Sequence, residues 1–237
     1  MLVRTLLAGL VIVFFTLLLI PLLLVCYLFG LTRPLFGLAR FALRLTAFVA
    51  GLKIEVSGRE CVDRKRTYVF MSNHLSFIDG PLLFLLIPQP ARVILKKTLF
   101  RIPVIGLGMS YLGFVPVNRK AIKQGRLAIE RAVYLMRHRN YSFLIFPEGT
   151  RSRDGRMQRF KRGGFFLAAE AGVPILPISL EGTFGLMPRG SFFVRGGKIR
   201  VRFHPCLPVG RPDEESLADI MDKTRAAISS GLSEEGK

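Results

Sequence analysis

Residues 5–32 carry no charged side chain. A helix rising ~1.5 Å per residue needs only ~20 such residues to cross a hydrocarbon core ~30 Å thick. The stretch is therefore expected to span a bilayer once or, because Pro21 stands in its middle, to form two half-helices that enter and leave one leaflet. A cleaved secretory signal fits less well, since the run exceeds the usual apolar length of ~7 to 15 residues and no small-residue cleavage pattern follows. In residues 34–52 the pattern changes: Arg40 and Arg44 lie one helical turn apart among apolar neighbours. That spacing predicts an interfacial helix, its basic side chains at headgroups and Phe41, Leu45 and Phe48 among acyl chains, or else a helix packed on the core. Residues 1–52 are thus expected to be a membrane anchor and residues 53–237 a separate domain.

After residue 53 short apolar runs alternate with amphipathic stretches, as in an α/β layer fold. Strands are expected over residues 67–71, 92–95, 114–117, 141–146, 175–180 and 198–203, several of them continuous apolar runs of the buried kind. Ile129, Ala132, Val133 and Met136 recur at helical spacing and mark a helix over residues 121–139. Leu217, Ile220, Met221, Thr224 and Ile228 mark another, with Asp213 as its expected cap. The expected architecture is a mixed, mostly parallel central sheet flanked by helices, behind an N-terminal hydrophobic membrane helix or two-helix anchor.

Charge narrows the partners. The 237 residues hold 35 Lys and Arg against 16 Asp and Glu, a formal net charge of +19, which favours polyanions. Nucleic acid and anionic lipid both qualify, but no RNP motif, zinc finger or basic recognition helix is visible, and the apolar segment points to membrane. Arg33, Arg40, Arg44 and Lys53 follow that segment while only Arg4 precedes it. This bias puts the main domain on the cytoplasmic side of the cell membrane. Cys26, Cys61 and Cys206 are far apart and form no metal-ligand spacing, so no structural metal is expected.

The chemistry concentrates after the first strand of the main domain. Asp79 stands five residues beyond His74; on a continuous helix the two side chains would point ~140° apart. They meet only if His74 sits in a strand-to-helix turn, with Ser76 as cap and the helix running on from Phe77. Asp79 would then accept from one imidazole nitrogen, leaving the other to take a proton from an attacking alcohol. No GxSxG elbow occurs and no cysteine lies beside a plausible base, which favours direct transfer without a covalent intermediate. A second cluster follows the strand at 141–146: Glu148 is suited to hold an acceptor hydroxyl and Arg151 offers a planar fork for phosphate. His138 and His204 lack partners at metal spacing and are expected to be structural.

These blocks resemble those of the glycerolipid acyltransferase family, which includes lysophosphatidic acid and glycerol-3-phosphate acyltransferases. Asn73 to Asp79 matches its His-x4-Asp motif, implying that His74 is the base and Asp79 its support. Gly113 to Arg119 is similar to a block that helps bind the acceptor phosphate, with Pro116 where an aromatic is usual and Asn118 in place of a common aspartate; Arg119 matches. Lys96 looks like the lysine near the phosphate site. Phe146 to Ser152 matches fully the block in which Glu148, Gly149, Thr150 and Arg151 bind the acceptor, and Lys161 and Gly163 match residues that commonly follow it. Val173 to Ile178, with Pro174 and Pro177, is similar to a strand motif on the acyl-donor side.

The resemblance implies acyl transfer from acyl-CoA or acyl carrier protein to the hydroxyl of lysophosphatidic acid, with no cofactor. Glycerol 3-phosphate or a lyso-aminolipid are the alternative acceptors. A non-catalytic module that binds anionic lipid is the alternative of another class.

Overall fold

The computed structural model describes residues 1–118, 122–210 and 214–234. Two helices open the chain, α1 (Leu2–Leu28) and α2 (Arg33–Val49). There follow β1 (Leu52–Ser57), β2 (Val69–Ser72), α3 (Asp79–Leu86), β3 (Ala91–Lys96), α4 (Ile105–Tyr111), β4 (Val115–Val117) and α5 (Ile122–Arg139). The chain continues through β5 (Ser142–Ile145), α6 (Gly163–Ala171), β6 (Ile175–Glu181), α7 (Thr183–Leu186), β7 (Gly197–Phe203) and α8 (Glu214–Ser230). All six expected strands form, and the helix expected over 121–139 is α5. The expected cap Asp213 lies outside the described residues.

The strands make one seven-stranded sheet in the order β1-β7-β6-β2-β5-β3-β4. Neighbours are parallel except β6 and β7, so the expected mixed, mostly parallel sheet is what the chain builds. Successive residues of a strand face opposite sides of the sheet. Val69 and Met71 of β2 accordingly enter a core with Phe143, Phe165 and Ala132 on the α5, α6 and α8 side. Phe70, between them, packs with Leu83, Leu144 and Leu176 on the α3 side. Burial on both faces explains why β2 reads as an unbroken apolar run. Strand β1 was not expected: it is an edge strand with charged Lys53 and Glu55, and the anticipated boundary at 52–53 falls on its first residue.

Pro21 does not split α1, which is continuous from Leu2 to Leu28 and so about 40 Å long. Most of its surface is bare, yet both ends are tied to the domain. Near its start, Val194 N–H donates to Thr5 Oγ1 at 3.1 Å, and the Arg4 guanidinium packs against Gly51 and Gly196. At its other end, the Tyr111 hydroxyl lies 2.7 Å from the Cys26 carbonyl in the last turns and 3.1 Å from that of Leu31 just past them. Helix α2 lies between α1 and the domain, with Leu35 and Phe36 buried.

Arg40 departs from the interfacial expectation. Its guanidinium donates to the carbonyls of Ile87 at 2.8 Å and Gln89 at 2.9 Å. Those carbonyls sit at and just past the C-terminal end of α3, where backbone acceptors have no helical partner. Burial of this cation lowers its pKa. Of the three apolar residues expected among acyl chains, Phe41 and Phe48 are exposed and Leu45 is half-buried. Hydrogen bonds to charged groups contribute ~1.5 to 3 kcal/mol, so Arg40→Ala should destabilise the protein by about 2–3 kcal/mol. Arg40→Lys should recover only part, because both bonds come from Nη2 at the tip of the longer arginine side chain, which the shorter, more strongly hydrated ammonium does not match; chemical denaturation of the two variants in detergent checks this.

Candidate active site

The site lies at the C-terminal ends of the adjacent parallel strands β2 and β5, where ligands gather in open α/β sheets. Beyond β2, Asn73 keeps the strand's direction with its side chain: its Nδ2 donates to the Leu180 carbonyl and its Oδ1 accepts from Leu180 N–H, both at 2.8 Å. This amide copies a strand ladder against β6 and delivers the next residue, His74, at the sheet's edge. Sequence reasoning gave Asn73 no role; an Asn between a buried strand and a candidate base was its only signal.

His74 and Asp79 meet as the spacing requires. His74 Nδ1 lies 2.9 Å from Asp79 Oδ2, and the same oxygen accepts the backbone N–H groups of Leu75 and Ser76 at 2.7 Å each. Asp79 is fully buried and is the first residue of α3, where the helix dipole favours a negative charge. Ser76 does not cap α3: the helix begins later than expected, and Asp79 itself reaches back to the turn. The Ser76 hydroxyl instead donates to the Met187 carbonyl at 2.7 Å and accepts weakly from Ile78 N–H. With Asp79 accepting at Nδ1, the proton resides there and the Nε2 lone pair is free.

The segment after β5 clamps the same residue from the other side. Glu148 Oε1 accepts His74 N–H at 2.8 Å, and Ser152 N–H donates to the His74 carbonyl at 2.8 Å. The His74 ring stacks on Phe146, centroids 4.0 Å apart. The roles of Phe146 and Ser152 were not foreseen either. Glu148 differs from expectation: instead of facing an acceptor hydroxyl it is 1% exposed, and its other oxygen accepts Gln158 N–H at 3.1 Å. It holds the turn that carries His74. Burial pushes its carboxyl up to about 7, against the pull of the two amide hydrogen bonds.

The other expected residues divide into two groups. Thr150 and Arg151 follow Glu148 in the same loop and are partly exposed, with the Arg151 guanidinium 5.8 Å from the Phe77 ring centre. Gly149 has φ 72, a turn only glycine adopts freely, and a side chain there would press on Lys161. Lys96 is exposed at the C-terminal end of β3, level with Val117 of β4, on the same edge of the sheet. Arg119 lies outside the described residues. Pro174 and Pro177, expected on the acyl-donor side, are buried in the sheet. Pro174 sits at the N-terminal end of β6, the edge opposite His74, and Pro177 pairs with Met71 in the interior. A proline is tolerated in this central strand because β7 pairing begins only at Ile178. His138 is exposed on α5, and His204 is buried against Ser179, with a pKa pushed down to about 4 by burial.

A family model described as Acyltransferase matches residues 53–181. A 1-acyl-sn-glycerol-3-phosphate acyltransferase of Borreliella burgdorferi is 33% identical over 193 residues, 80% of this chain and 76% of that protein. Another of that name from Pseudomonas aeruginosa is 30% identical over 82% of this chain and 75% of its own length. A chloroplastic relative from Brassica napus is 38% identical over 76% of this chain, which spans only 51% of that longer protein. Among solved structures, the 1-acyl-sn-glycerophosphate acyltransferase PlsC of Thermotoga maritima superposes with a TM-score of 0.71 at 27% identity, covering 85% of this chain and 82% of that one.

The raised carboxyl of Glu148 has a sign that can be checked. A group whose folded pKa lies above its unfolded value of ~4.3 gives stability that is full below that pH and is lost as pH rises through about 7. The loss is on the order of 3 kcal/mol. Between about pH 5 and pH 8, wild type should therefore lose stability relative to Glu148→Gln, which has no proton to release; denaturation midpoints across that range test it.

Proposed function

This chain belongs to the acyltransferase family, and from that premise we propose that it transfers a fatty acyl group from a thioester donor to the free hydroxyl of lysophosphatidic acid, giving phosphatidic acid. The observation that carries the reading is the His74 and Asp79 pair, clamped to the loop that bears Arg151. The donor is acyl-CoA or acyl carrier protein.

The chemistry needs one base. His74 Nε2 takes the proton of the lysolipid hydroxyl as its oxygen attacks the thioester carbonyl. The new C–O bond forms, the C–S bond breaks, and the imidazolium returns its proton to the departing thiolate. Asp79 stabilises the imidazolium and fixes the ring; a positioned base of this kind supplies ~10² to 10⁴ in rate. Arg151 and Lys96, with Arg119, hold the acceptor phosphate at the cleft's rim, which contributes orientation. Glu148 acts through the His74 backbone and is a positioning residue.

Helix α1 has a mean hydropathy of 3.0 over its most apolar 18 residues and only 11% of that window is buried. Because both of its ends are bonded to the same domain, α1 and α2 hold the enzyme on one face of the membrane. That face is the cytoplasmic side of the cell membrane, where a net charge of +19 meets anionic headgroups.

The test is transfer from labelled acyl-CoA and acyl carrier protein to lysophosphatidic acid, run beside glycerol 3-phosphate and lyso-aminolipids. Lysophosphatidic acid should be the preferred acceptor. His74→Ala should lose ~10² to 10⁴ in kcat while binding vesicles as before. Equal turnover by the variant contradicts the catalytic role, and preference for an aminolipid contradicts the acceptor.

A further inference from the structure

Residues 187–196 leave α7, pass Ser76 and Thr150 of the candidate site and return to β7 beside the start of α1. The turn is built. Arg195 N–H donates to the Leu186 carbonyl at 2.9 Å and closes its base, and Ser191 N–H donates to the Pro188 carbonyl at 3.0 Å. The Ser191 hydroxyl pairs with the backbone of Phe193, and Gly190 takes φ 92. This frame turns apolar side chains outward: Phe192 is 85% exposed and Phe193 43%. Leaving the Phe192 ring in solvent forgoes the ~1.5 to 3 kcal/mol of burial that a core site would provide, which calls for a partner.

Three observations identify it. The turn is continuous with the bare apolar face of α1: Val194 N–H donates to Thr5 Oγ1, and Leu2, Val3, Leu6 and Leu10 are each more than half exposed there. Its charge is of one sign, because Arg189 and Arg195 lie within it, Arg4 packs beside it, and no acidic residue occurs between Gly182 and Gly197. Finally, it touches the candidate site: the Met187 carbonyl accepts from the Ser76 hydroxyl, and Arg189 Nη1 lies 3.5 Å from Thr150 Oγ1.

We propose that residues 187–196 form a second membrane contact in which Phe192 and Phe193 enter an anionic bilayer next to the N-terminal end of α1. Given the lipid acceptor proposed above, this contact sets the cleft mouth against the bilayer, so a lysolipid keeps its chain in apolar surroundings while its phosphate moves from the interface to the Arg151 rim. Aromatic rings flanked by arginines suit that depth, rings below the headgroups and guanidinium groups among them.

The chain contains no tryptophan, so a single introduced indole reports its own surroundings. The full-length variants Phe192→Trp, Phe14→Trp on α1 and Leu127→Trp on α5 are each bound to vesicles of phosphatidylglycerol and phosphatidylcholine with brominated acyl chains. Quenching at positions 192 and 14 but not at 127 is the expected result. Quenching at 14 without quenching at 192 overturns the second contact and leaves the anchor standing. Equal quenching at 127 overturns it as undirected adsorption, and no quenching at 14 removes the membrane reading and this contact with it. Emission at 192 that is already shifted to the blue without vesicles, and more so at higher protein concentration, assigns the rings to a second copy instead.

Discussion

One carboxylate oxygen, Asp79 Oδ2, accepts the imidazole of His74 and the backbone N–H groups of Leu75 and Ser76. The proposed chemistry depends on that convergence. An ionised carboxylate buried without partners would be costly; here two amides and a helix N-terminus stabilise its charge, and the ring nitrogen comes as a further donor. The arrangement fixes three things together: the tautomer of His74, the direction of its other ring nitrogen, and the shape of the turn that joins β2 to α3.

The rest of the site braces that turn. Asn73 ties its start to β6, Ser76 ties it to the residue after α7, and the segment following β5 grips both backbone groups of His74 and stacks Phe146 on its ring. These anchors come from elements on either side of β2, so the ring is held by the sheet as a whole. Under the proposed mechanism, preorganisation of this kind would let a single base act on an alcohol without a reorganisation step. The raised pKa of Glu148 shows its cost, since a buried carboxylate placed to hold a backbone amide is partly held against its own desolvation.

Much of this was legible in the chain. The six expected strands were legible, β2 and β6 because burial on both faces makes apolar runs, and α5 was legible through its helical spacing. The distance from His74 to Asp79 excluded a continuous helix between them and so required a turn. Strand β1 escaped because an edge strand with alternating charge looks like a linker, and α1 looked breakable because the pattern of Pro21 says nothing of neighbours. Arg40 and Glu148 were both read as facing outward, since charge usually does. Their true partners are backbone groups of residues far along the chain, Ile87 and His74, and backbone partners leave no trace in side-chain pattern. Phe192 is the converse case, an apolar residue the fold turns outward.

The convergence on Asp79 Oδ2 is tested most directly by the imidazole nitrogen shifts of ¹⁵N-labelled His74 at a pH where the ring is neutral. The expected spectrum has the proton on Nδ1 with Nε2 unprotonated, and Asp79→Asn should lose that preference. A wild-type ring protonated at Nε2, or tautomers indifferent to the change at Asp79, would contradict it.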